Sequence, residues 1–360
     1  MRIAVIDVAA ESGGALSVLR DFLSYVSELN DEKNEYFVFV SKEVEIVNPH
    51  IHYILKPEIK RSWISRLKWE RVGALKELDE LNIDVVFSLQ NTALFSKKRK
   101  QIVYFHNVLL LEPKTKYSLW KKAERLYGIY TRVIAPYTLN SLKNADVVIC
   151  QTNTVKNEIQ RRLPGTEAVA VNPNVSVEDA YLDTAVRPIK GFLYPTAPVP
   201  FKRIEETVAC VRENKDWFDE NHLEFLITVN GSENAYAQTV YAQAQGISCI
   251  RFIGYQKRET ILALYRDHAL LINSELESFP LPFQEAELVG APVIAADYPY
   301  AQEILANTEG AAIYRKHDTH DMFEKMKWAL SHQRQKKQAM NREINTWHTV
   351  MQAINGQSHE

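Results

Sequence analysis

The chain has 360 residues, which is more than one ordinary hydrophobic core needs and fits two α/β domains. Its net charge of -2, with 46% hydrophobic and 24% charged residues, is typical of a soluble globular protein and disfavours a fibrous, disordered or nucleic-acid-coating chain. No apolar stretch approaches the roughly 20 residues of a membrane span, and an aspartate interrupts the short N-terminal apolar run, which argues against a signal peptide. Three distant cysteines without CxxC spacing indicate buried thiols in a reduced, cytoplasmic protein.

Strand and helix patterns alternate through the first half of the chain. Apolar residues at helical spacing predict helices over residues 16–26 and Val72–Leu81, and Gly13 and Gly14 are assigned to the loop before the first of them. Short apolar runs, typical of buried parallel strands, lie at Ile3–Val8, Tyr36–Val40, Asp84–Ser88, Gln101–Phe105, Asp146–Gln151 and Ala168–Asn172.

The weakly periodic stretch Val177–Lys190 is interpreted as a linker to a second series of strands. Two series predict an α/β fold with two Rossmann-like domains on parallel sheets, residues 1–185 and 186–339, and a shared cleft as the ligand site. The tail, Gln333–Ile354, is predicted to be helical, with Trp347 as its apolar anchor. The predicted strands of the second series begin with Gly191 and continue at Glu224–Val229, Cys249–Ile253, Ala269–Asn273 and Pro292–Ala295.

The most informative segment of the chain contains Glu277 and Glu285, with seven residues between them. Pro282 fits the first turn of a helix and Gly290 its end, so Glu277 is predicted on a loop and Glu285 in the opening turn. Backbone N–H groups at such a helix start bind a diphosphate with help from the helix dipole. The two carboxylates beside them are suited to accept hydrogen bonds from sugar hydroxyls.

This pattern resembles the Glu-x7-Glu motif of the large retaining glycosyltransferase family 4, which has the GT-B fold. The resemblance covers nearly the whole chain and implies two domains facing a central cleft, with a C-terminal helix, about 340–360, that crosses back to the N-terminal domain. Other stretches that resemble family motifs in the same order are Gly13-Gly14, His106-Asn107, Ala145-Asp146, Thr152, Asn172-Pro173-Asn174, Lys202, Phe252–Tyr255, Asn273-Ser274, Leu281-Pro282, Gly290–Ile294, Asp297, Glu303 and Trp347.

Two departures from the family concern the donor site. An arginine normally precedes the lysine by several residues, but this chain has Tyr194-Pro195-Thr196-Ala197-Pro198 there, and Arg203 is the candidate replacement. Pro280 stands where the family has a glycine of the pyrophosphate loop. Because proline has no N–H, Phe279 and Leu281 remain as the backbone donors at this point.

The resemblance implies a role for each candidate residue. Lys202 pairs with the donor diphosphate and stabilises the leaving group, a role that requires a cation. Glu277 contacts the transferred sugar, Glu285 binds the ribose, and His106 lies near the sugar and the acceptor. The alternative interpretations are that Lys202 is a solvated surface lysine and that Glu277 is an ordinary loop carboxylate. Glu285 would then be a glutamate that the helix dipole favours, and His106 a structural histidine. Further donor contacts are assigned to Gly13, Gly14, Arg203, Ser278, Phe279 and Leu281.

The sequence contains no Asp-x-Asp pair. Metal-dependent glycosyltransferases of the other major fold use that pair to hold a divalent ion that bridges the diphosphate. The absence agrees with transfer that needs no metal and no other cofactor, in which Lys202 and helix N–H groups replace the ion.

Two basic stretches of the first half also contain aromatic residues. Lys56–Arg71 has six basic and two acidic residues with Trp63 and Trp69, and Lys97–Arg132 has ten basic and two acidic residues with Tyr117, Trp120, Tyr127 and Tyr130. This mixture suits an anionic membrane surface, here the inner face of the cytoplasmic membrane, and an acceptor carried on a lipid. Ordinary solvated helices are the alternative, and nucleic-acid binding is disfavoured because no such motif accompanies the stretches.

The sequence therefore predicts a hexosyltransferase of bacterial surface polysaccharide or glycoconjugate synthesis, with a UDP-sugar favoured over a GDP-sugar as donor and a saccharide or lipid-linked acceptor. One alternative is a UDP-sugar 2-epimerase of GT-B fold, for which no acid–base residues are identified near the sugar. Another is an inactive nucleotide-sugar-binding scaffold subunit, which the missing arginine and Pro280 favour. A Rossmann oxidoreductase is disfavoured because no Gly-x-Gly-x-x-Gly follows the first strand.

Overall fold

The structure is a computed structural model that describes residues 1–10, 13–29, 32–173, 175, 188–332 and 346–356. The chain forms two compact units. The first contains Met1–Lys116, Ile129–Asn172 and Glu343–Glu360, and the second contains Tyr117–Gly128 and Pro173–Arg342. The segment 117–128, which the sequence analysis placed in the first domain, thus packs with the second unit. Asn174 and residues 177–187 of the predicted linker lie outside the described residues.

The first unit is built on a parallel sheet. Within the described residues its strands are β1 (Arg2–Asp7), β2 (Glu35–Val40), β3 (Ile51–Leu55), β4 (Val85–Ser88), β5 (Lys100–Phe105), β6 (Val147–Cys150) and β7 (Glu167–Ala170). Their spatial order is β3-β2-β1-β4-β5-β6-β7, and every neighbouring pair is parallel. The central strands are apolar and buried because helices cover both faces.

A second parallel sheet forms the core of the second unit. Its strands in the described ranges are β8 (Gly191–Tyr194), β9 (Glu224–Ile227), β10 (Ile250–Phe252), β11 (His268–Ile272), β12 (Val293–Ala296) and β13 (Ala311–Tyr314). Their order is β10-β9-β8-β11-β12-β13, again with parallel neighbours. The predicted fold class, two α/β domains on parallel sheets, is confirmed.

Helices connect the strands in both units. Those that begin in the first half of the chain are α1 (Gly13–Leu29), α2 (Trp63–Lys68), α3 (Ala74–Glu80), α4 (Arg125–Ile129), α5 (Ala135–Leu142) and α6 (Asn153–Arg162). The later ones are α7 (Ile204–Glu213), α8 (Lys215–Glu220), α9 (Ala235–Gln243), α10 (Arg258–Leu264), α11 (Leu281–Val289), α12 (Pro299–Leu305), α13 (Thr319–Ser331) and α14 (Thr346–Asn355).

Three local predictions differ from the structure. Strands β3 and β13 were not predicted; both lie at sheet edges and are partly exposed, His52 interrupts the apolar run of β3, and β13 has only four residues. Helix α1 begins at Gly13, so Gly13 and Gly14 lie in its first turn and not in the preceding loop.

Each sheet has a point at which the strand order reverses direction. It lies between β1 and β4 in the first unit and between β8 and β11 in the second. In open parallel sheets, ligands bind beyond the carboxyl ends of the strands at such a point. The segments that follow β8 and β11 are therefore brought side by side, although they are far apart in the sequence.

The C-terminal helix α14 packs on the core of the first unit. Trp347 is buried, its ring lies 5.2 Å from Phe22 and 5.6 Å from Tyr104 between centroids, and its Nε1 donates to Asp21 at 2.7 Å. This confirms the prediction that the C-terminal helix returns to the first domain. Residues 333–345 of the predicted helical tail lie outside the described residues.

Two further predictions from the sequence concern the burial of the cysteine thiols and the presence of membrane-spanning helices. Cys150, Cys210 and Cys249 are free and buried. Among the helices of the described residues, none has the length and apolar character to cross a membrane.

Candidate functional site

The segment after β8 places Lys202 at the carboxyl edge of the second sheet. Lys202 ends a short 3₁₀ turn, Pro200–Lys202, and its carbonyl accepts a hydrogen bond from the buried Tyr194 hydroxyl at 2.5 Å. Its ammonium group forms an ion pair with the carboxylate of Glu277, and each side chain is less than a fifth exposed. The structure thus brings together two candidates that lie 75 residues apart.

The segment after β11 holds Glu277 in place through its backbone. Glu275 N–H donates to the Phe201 carbonyl at 2.7 Å, which joins this segment directly to the turn that carries Lys202. The Tyr300 hydroxyl donates to the Ser274 carbonyl at 2.6 Å, and the Ser274 hydroxyl donates to the Leu276 carbonyl at 3.1 Å. The Lys202–Glu277 pair is therefore fixed from both sides, which is the condition for a preorganised charged site.

Arg203, the candidate replacement for the missing arginine, points into a group of carboxylates. Its guanidinium bonds Glu206 and lies 3.6 Å from Glu275 and 3.7 Å from Glu205. Burial alone would lower the pKa of Arg203, but these carboxylates outweigh it and raise the pKa. The residue has φ of +49°, and its carbonyl accepts from Asn273 at 3.0 Å. Its positive charge is thus already balanced by neighbouring side chains.

Helix α11 presents few free donors at its N-terminus. Pro280 is its N-cap, Pro282 has no N–H, and the Phe283 N–H donates to the Pro280 carbonyl at 3.0 Å. Leu281 is therefore the first-turn residue left to bind an anion, next to Phe279, which is buried, and Ser278, which is partly buried. Gly290 ends the helix with φ of +81°, as its position in the sequence predicts.

Glu285 lies one turn deeper in α11 than the sequence analysis expected. The helix begins at Leu281, so Glu285 belongs to its second turn and not to the opening turn. The residue is 7% exposed, and its Oε1 accepts from the Nε of Arg258 at 2.6 Å. Arg258 was not predicted as a site residue, because it lies 27 residues before Glu285 in the chain and no sequence pattern indicates that the two side chains meet.

His106 lies after β5 in the first unit. The Asn91 Oδ1 accepts from the backbone N–H groups of His106 at 2.8 Å and of Asn107 at 3.0 Å, which fixes the backbone at this edge. The Nδ1 of His106 is buried and has no hydrogen-bond partner within the described residues. Burial lowers the pKa of His106 to about 4, so the imidazole is neutral at pH 7.

Asp7 is a polar residue of the first unit that the sequence analysis did not assign to a site. It ends β1, is 1% exposed, and its Oδ2 has no partner in the described part of the chain. Burial raises the pKa of Asp7 to about 7, against the opposing charge of Arg66. The signal was visible as the aspartate that interrupts the first apolar run, because a charge at the carboxyl end of a buried parallel strand marks a site position.

Within the described ranges, no group of three or more His, Cys, Asp and Glu side chains is arranged to hold a metal ion.

Residues 200–346 match the family model of glycosyl transferases group 1. The matched range contains two of the ion pairs of the second unit, Lys202–Glu277 and Arg258–Glu285. No curated protein matches the chain.

Solved structures share the whole architecture at low sequence identity. The chain is similar to a sucrose-phosphate synthase from Thermosynechococcus elongatus, with a TM-score of 0.66, 17% identity, and 92% of this chain and 90% of that chain covered. For the lipopolysaccharide outer core galactosyltransferase WaaB in its apo form, the TM-score is 0.62 at 18% identity, with 99% of both chains covered. For an α,α-trehalose-phosphate synthase (UDP-forming) from Burkholderia xenovorans, it is 0.62 at 13%, over 99% and 96%.

These similarities confirm the GT-B fold that the sequence predicted. Together with the family match over residues 200–346, they support a glycosyltransferase of GT-B type.

Proposed function

We propose that this protein is a retaining glycosyltransferase that moves a hexose-type sugar from a nucleotide-sugar donor to a saccharide or lipid-linked acceptor, without a metal ion. The observation that carries the proposal is the ion pair between Lys202 and Glu277, on the adjoining segments after β8 and β11. Both residues lie within the glycosyl transferases group 1 match. A fixed cation at this edge suits a leaving diphosphate, and the carboxylate beside it suits sugar hydroxyls.

The transfer breaks the bond between the anomeric carbon and the diphosphate oxygen, which leaves with the bonding electrons. Lys202 stabilises the negative charge that develops on this oxygen, because a preorganised cation acts most strongly where charge appears in the transition state. The acceptor hydroxyl attacks from the same face and gives its proton to the departing phosphate. Glu277 orients the sugar and is not assigned as a nucleophile.

The remaining donor contacts belong to backbone groups and to Glu285. The N–H groups of Phe279 and Leu281 and the side chain of Ser278 contact the diphosphate beside Lys202. The backbone N–H groups of Gly13 and Gly14, in the first turn of α1, are also suited to bind an anion, because N–H groups at the N-terminus of a helix attract negative charge. Arg203 supports this site with a smaller effect, because Glu205, Glu206 and Glu275 already balance its charge. In the first domain, His106 contacts the sugar and acceptor as a neutral imidazole.

The donor is proposed to be a UDP-sugar, with a GDP-sugar as the next choice. The trehalose-phosphate synthase with the same fold is named UDP-forming, which supports UDP as the leaving group. The galactosyltransferase of lipopolysaccharide outer core supports a place in bacterial surface polysaccharide or glycoconjugate synthesis.

The proposal is tested by donor binding in the presence of EDTA. UDP-, GDP-, ADP- and dTDP-glucose are titrated calorimetrically into wild type, Lys202→Ala and Glu285→Ala. Lys190→Ala is the control, because Lys190 also pairs with a carboxylate, Asp267 at 2.8 Å, but is exposed and lies beside the amino end of β8 in the same unit. We expect one donor class to bind wild type and the control equally, and to bind both site variants about tenfold more weakly, which corresponds to about 1.4 kcal/mol.

Three results would contradict the proposal. If no donor binds wild type, or if binding is indifferent to both site variants, the site is misplaced and a scaffold subunit becomes the better interpretation. If EDTA abolishes binding and Mn²⁺ restores it, transfer depends on a metal.

The proposed partners include an anionic membrane surface on the cytoplasmic side. In the segment 117–128, Trp120 is 91% exposed and Leu126 58% exposed. The exposed cations Lys121, Lys122 and Arg125 surround them. Apolar side chains among cations are what an interface with anionic lipid requires. In the stretch Lys56–Arg71, Ile64 is 78% exposed and supports the same assignment.

Membrane contact is measured by sedimentation with vesicles of phosphatidylcholine, with and without 30% phosphatidylglycerol. We expect binding only to the anionic vesicles, loss of binding in high salt because the attraction is screened, and several-fold weaker binding of Trp120→Ala. Tyr255→Ala is the matched control, since Tyr255 is 87% exposed in the second unit. Equal binding of both variants, or no anionic preference, would contradict the assignment.

A further inference from the structure

Glu285 is a buried carboxylate with one charged partner. On α11 it is 7% exposed, and Arg258 donates through Nε to its Oε1 at 2.6 Å. A buried charge without such a partner is costly, and a charge-assisted hydrogen bond of this length is among the strongest that side chains make. Arg258 therefore keeps a carboxylate in place that would otherwise be unfavourable there.

The position of Arg258 is set by the fold. It is the first residue of α10, whose buried Ile261 and Leu262 anchor that helix in the core of the second unit. The segment before it is held by Gln256, whose Nε2 donates to the Ile253 carbonyl at 2.6 Å. The Arg258 side chain is 49% exposed, whereas that of Glu285 is 9% exposed. The arginine thus reaches from the surface to a carboxylate in the interior.

The second oxygen of Glu285 has a different environment. Within the described residues, no hydrogen bond is made to Oε2. One oxygen is held by a cation and the other is open, so the plane of the carboxylate is fixed before any ligand arrives. The pair is also electrically neutral, which removes the repulsion that a lone carboxylate would exert on a nearby diphosphate.

We propose that Arg258 is a positioning residue that holds Glu285 so that its Oε2 accepts a hydrogen bond from one ribose hydroxyl of the donor. This inference rests on the proposed function, which assigns Glu285 to the ribose. It makes the site selective for ribonucleotides over deoxyribonucleotides. A site built to bond a hydroxyl rejects the analogue that lacks it, because its own polar atom is left unpaired.

The test compares UDP with 2′-deoxy-UDP and 3′-deoxy-UDP by calorimetry in wild type, Arg258→Ala, Arg258→Lys and Glu285→Gln. We expect wild type to prefer UDP over one deoxy analogue by about tenfold, or about 1.4 kcal/mol. In Arg258→Ala this preference falls to about twofold or less, and Arg258→Lys restores part of it because the cation returns. The matched control is Arg251→Ala, since Arg251 pairs with Glu224 at the same distance of 2.6 Å elsewhere in the second unit.

The ratio of the two affinities separates positioning from general stability, because a merely loosened fold weakens both ligands alike. If Arg258→Ala keeps the tenfold preference while Glu285→Gln loses it, Glu285 binds ribose without help and the inference about Arg258 is wrong. If both variants keep the preference for UDP over the deoxy analogue, or if wild type shows no such preference, Glu285 does not bind the ribose and this inference is wrong. The effect of Lys202→Ala on donor binding then still tests the diphosphate site. If UDP and GDP both fail to bind wild type, the proposed function and this inference fall together. Should Arg258→Ala be unfolded by circular dichroism, Arg258→Lys decides alone: a folded variant whose preference is clearly below that of wild type supports fixed positioning, and an unchanged tenfold preference contradicts it.

Discussion

The titratable groups at the sheet edges where the strand orders reverse have opposite environments in the two units. In the second unit, Lys202 pairs with Glu277 and Arg258 pairs with Glu285, so each charge has a partner. In the first unit, Asp7 is buried and His106 is partly buried, and one buried polar atom of each has no partner among the described residues. Burial pushes their pKa values toward the neutral forms, to about 7 for Asp7 and about 4 for His106.

The difference indicates that the two units are suited to bind different kinds of ligand group. Paired ions stay charged and are already oriented, which suits a diphosphate whose negative charge grows during the reaction. Enclosed neutral groups suit an uncharged ligand, such as a sugar hydroxyl, that supplies the missing hydrogen bond. The first arrangement predicts large effects on turnover, and the second predicts effects on stability that depend on pH.

The largest effect is expected for Lys202→Ala. Removal of the cation that we propose to stabilise the leaving group should lower kcat by about 10² to 10³, with a smaller change in KM. The measurement is sugar transfer from the donor that the binding panel selects. A matched Lys190→Ala control should keep kcat within about twofold, because its ion pair with Asp267 lies beside the amino end of β8. A kcat for Lys202→Ala within threefold of wild type would contradict this role.

Asp7→Asn tests the enclosed carboxyl of the first unit. The folded pKa of about 7 exceeds the ordinary value of 3.8, so the stabilising contribution of the protonated form is complete below pH 3.8 and is lost as the pH rises to about 7. Between pH 5 and pH 7, wild type should lose about 2 to 3 kcal/mol that Asp7→Asn does not lose. Urea unfolding of the first unit at several pH values measures this slope.

The control for Asp7 is Glu80→Gln, because Glu80 is an exposed acid of the same unit with only a 3.7 Å contact to Lys76. It should leave the slope unchanged within about 0.5 kcal/mol. Parallel slopes for wild type and Asp7→Asn would show that Asp7 is not an enclosed neutral acid.

His106→Gln should change the slope in the opposite direction and by a little less. The folded pKa of about 4 lies below the ordinary 6.5, so the contribution of the neutral imidazole is present above pH 6.5 and is lost as the pH falls toward 4. From pH 7 to pH 5, wild type should lose about 2 kcal/mol that His106→Gln keeps. In wild type the two slopes oppose each other, so the double variant Asp7→Asn/His106→Gln should resemble wild type more than either single variant does.

The smallest effect is expected for Arg203→Gln on donor affinity. Three carboxylates already surround the guanidinium, so its loss should weaken donor binding by about threefold or less. The same titrations that measure Lys202→Ala give this value. A tenfold loss, without a loss of folding, would show that Arg203 replaces the family arginine directly and that the comparison of the two cations is wrong.

Much of the fold could be predicted because its signals are local. The apolar runs of β1, β4 and β11 depend on neighbouring residues alone, and so do the end signals of α11, Pro282 in its first turn and Gly290 at its C-cap. The misses have local reasons as well, since the edge strands β3 and β13 are only half covered. Glu285 was placed one turn early, because proline at the second helical position does not fix the first residue of the helix.

The candidate site could be predicted as a set of residues but not as a set of contacts. The spacing of Glu277 and Glu285, the position of Lys202 after a strand and the presence of Trp347 in the tail are features of the sequence by itself. The partners were decided by the tertiary structure: Lys202 meets Glu277 because β8 and β11 are neighbours in the sheet. Arg258 meets Glu285 because α10 packs near α11. The raised pKa of Asp7 is also a consequence of the tertiary structure, because burial causes it. Periodicity and capping act over a few residues along the chain, whereas ion pairing and desolvation depend on which distant segments the strand order brings together.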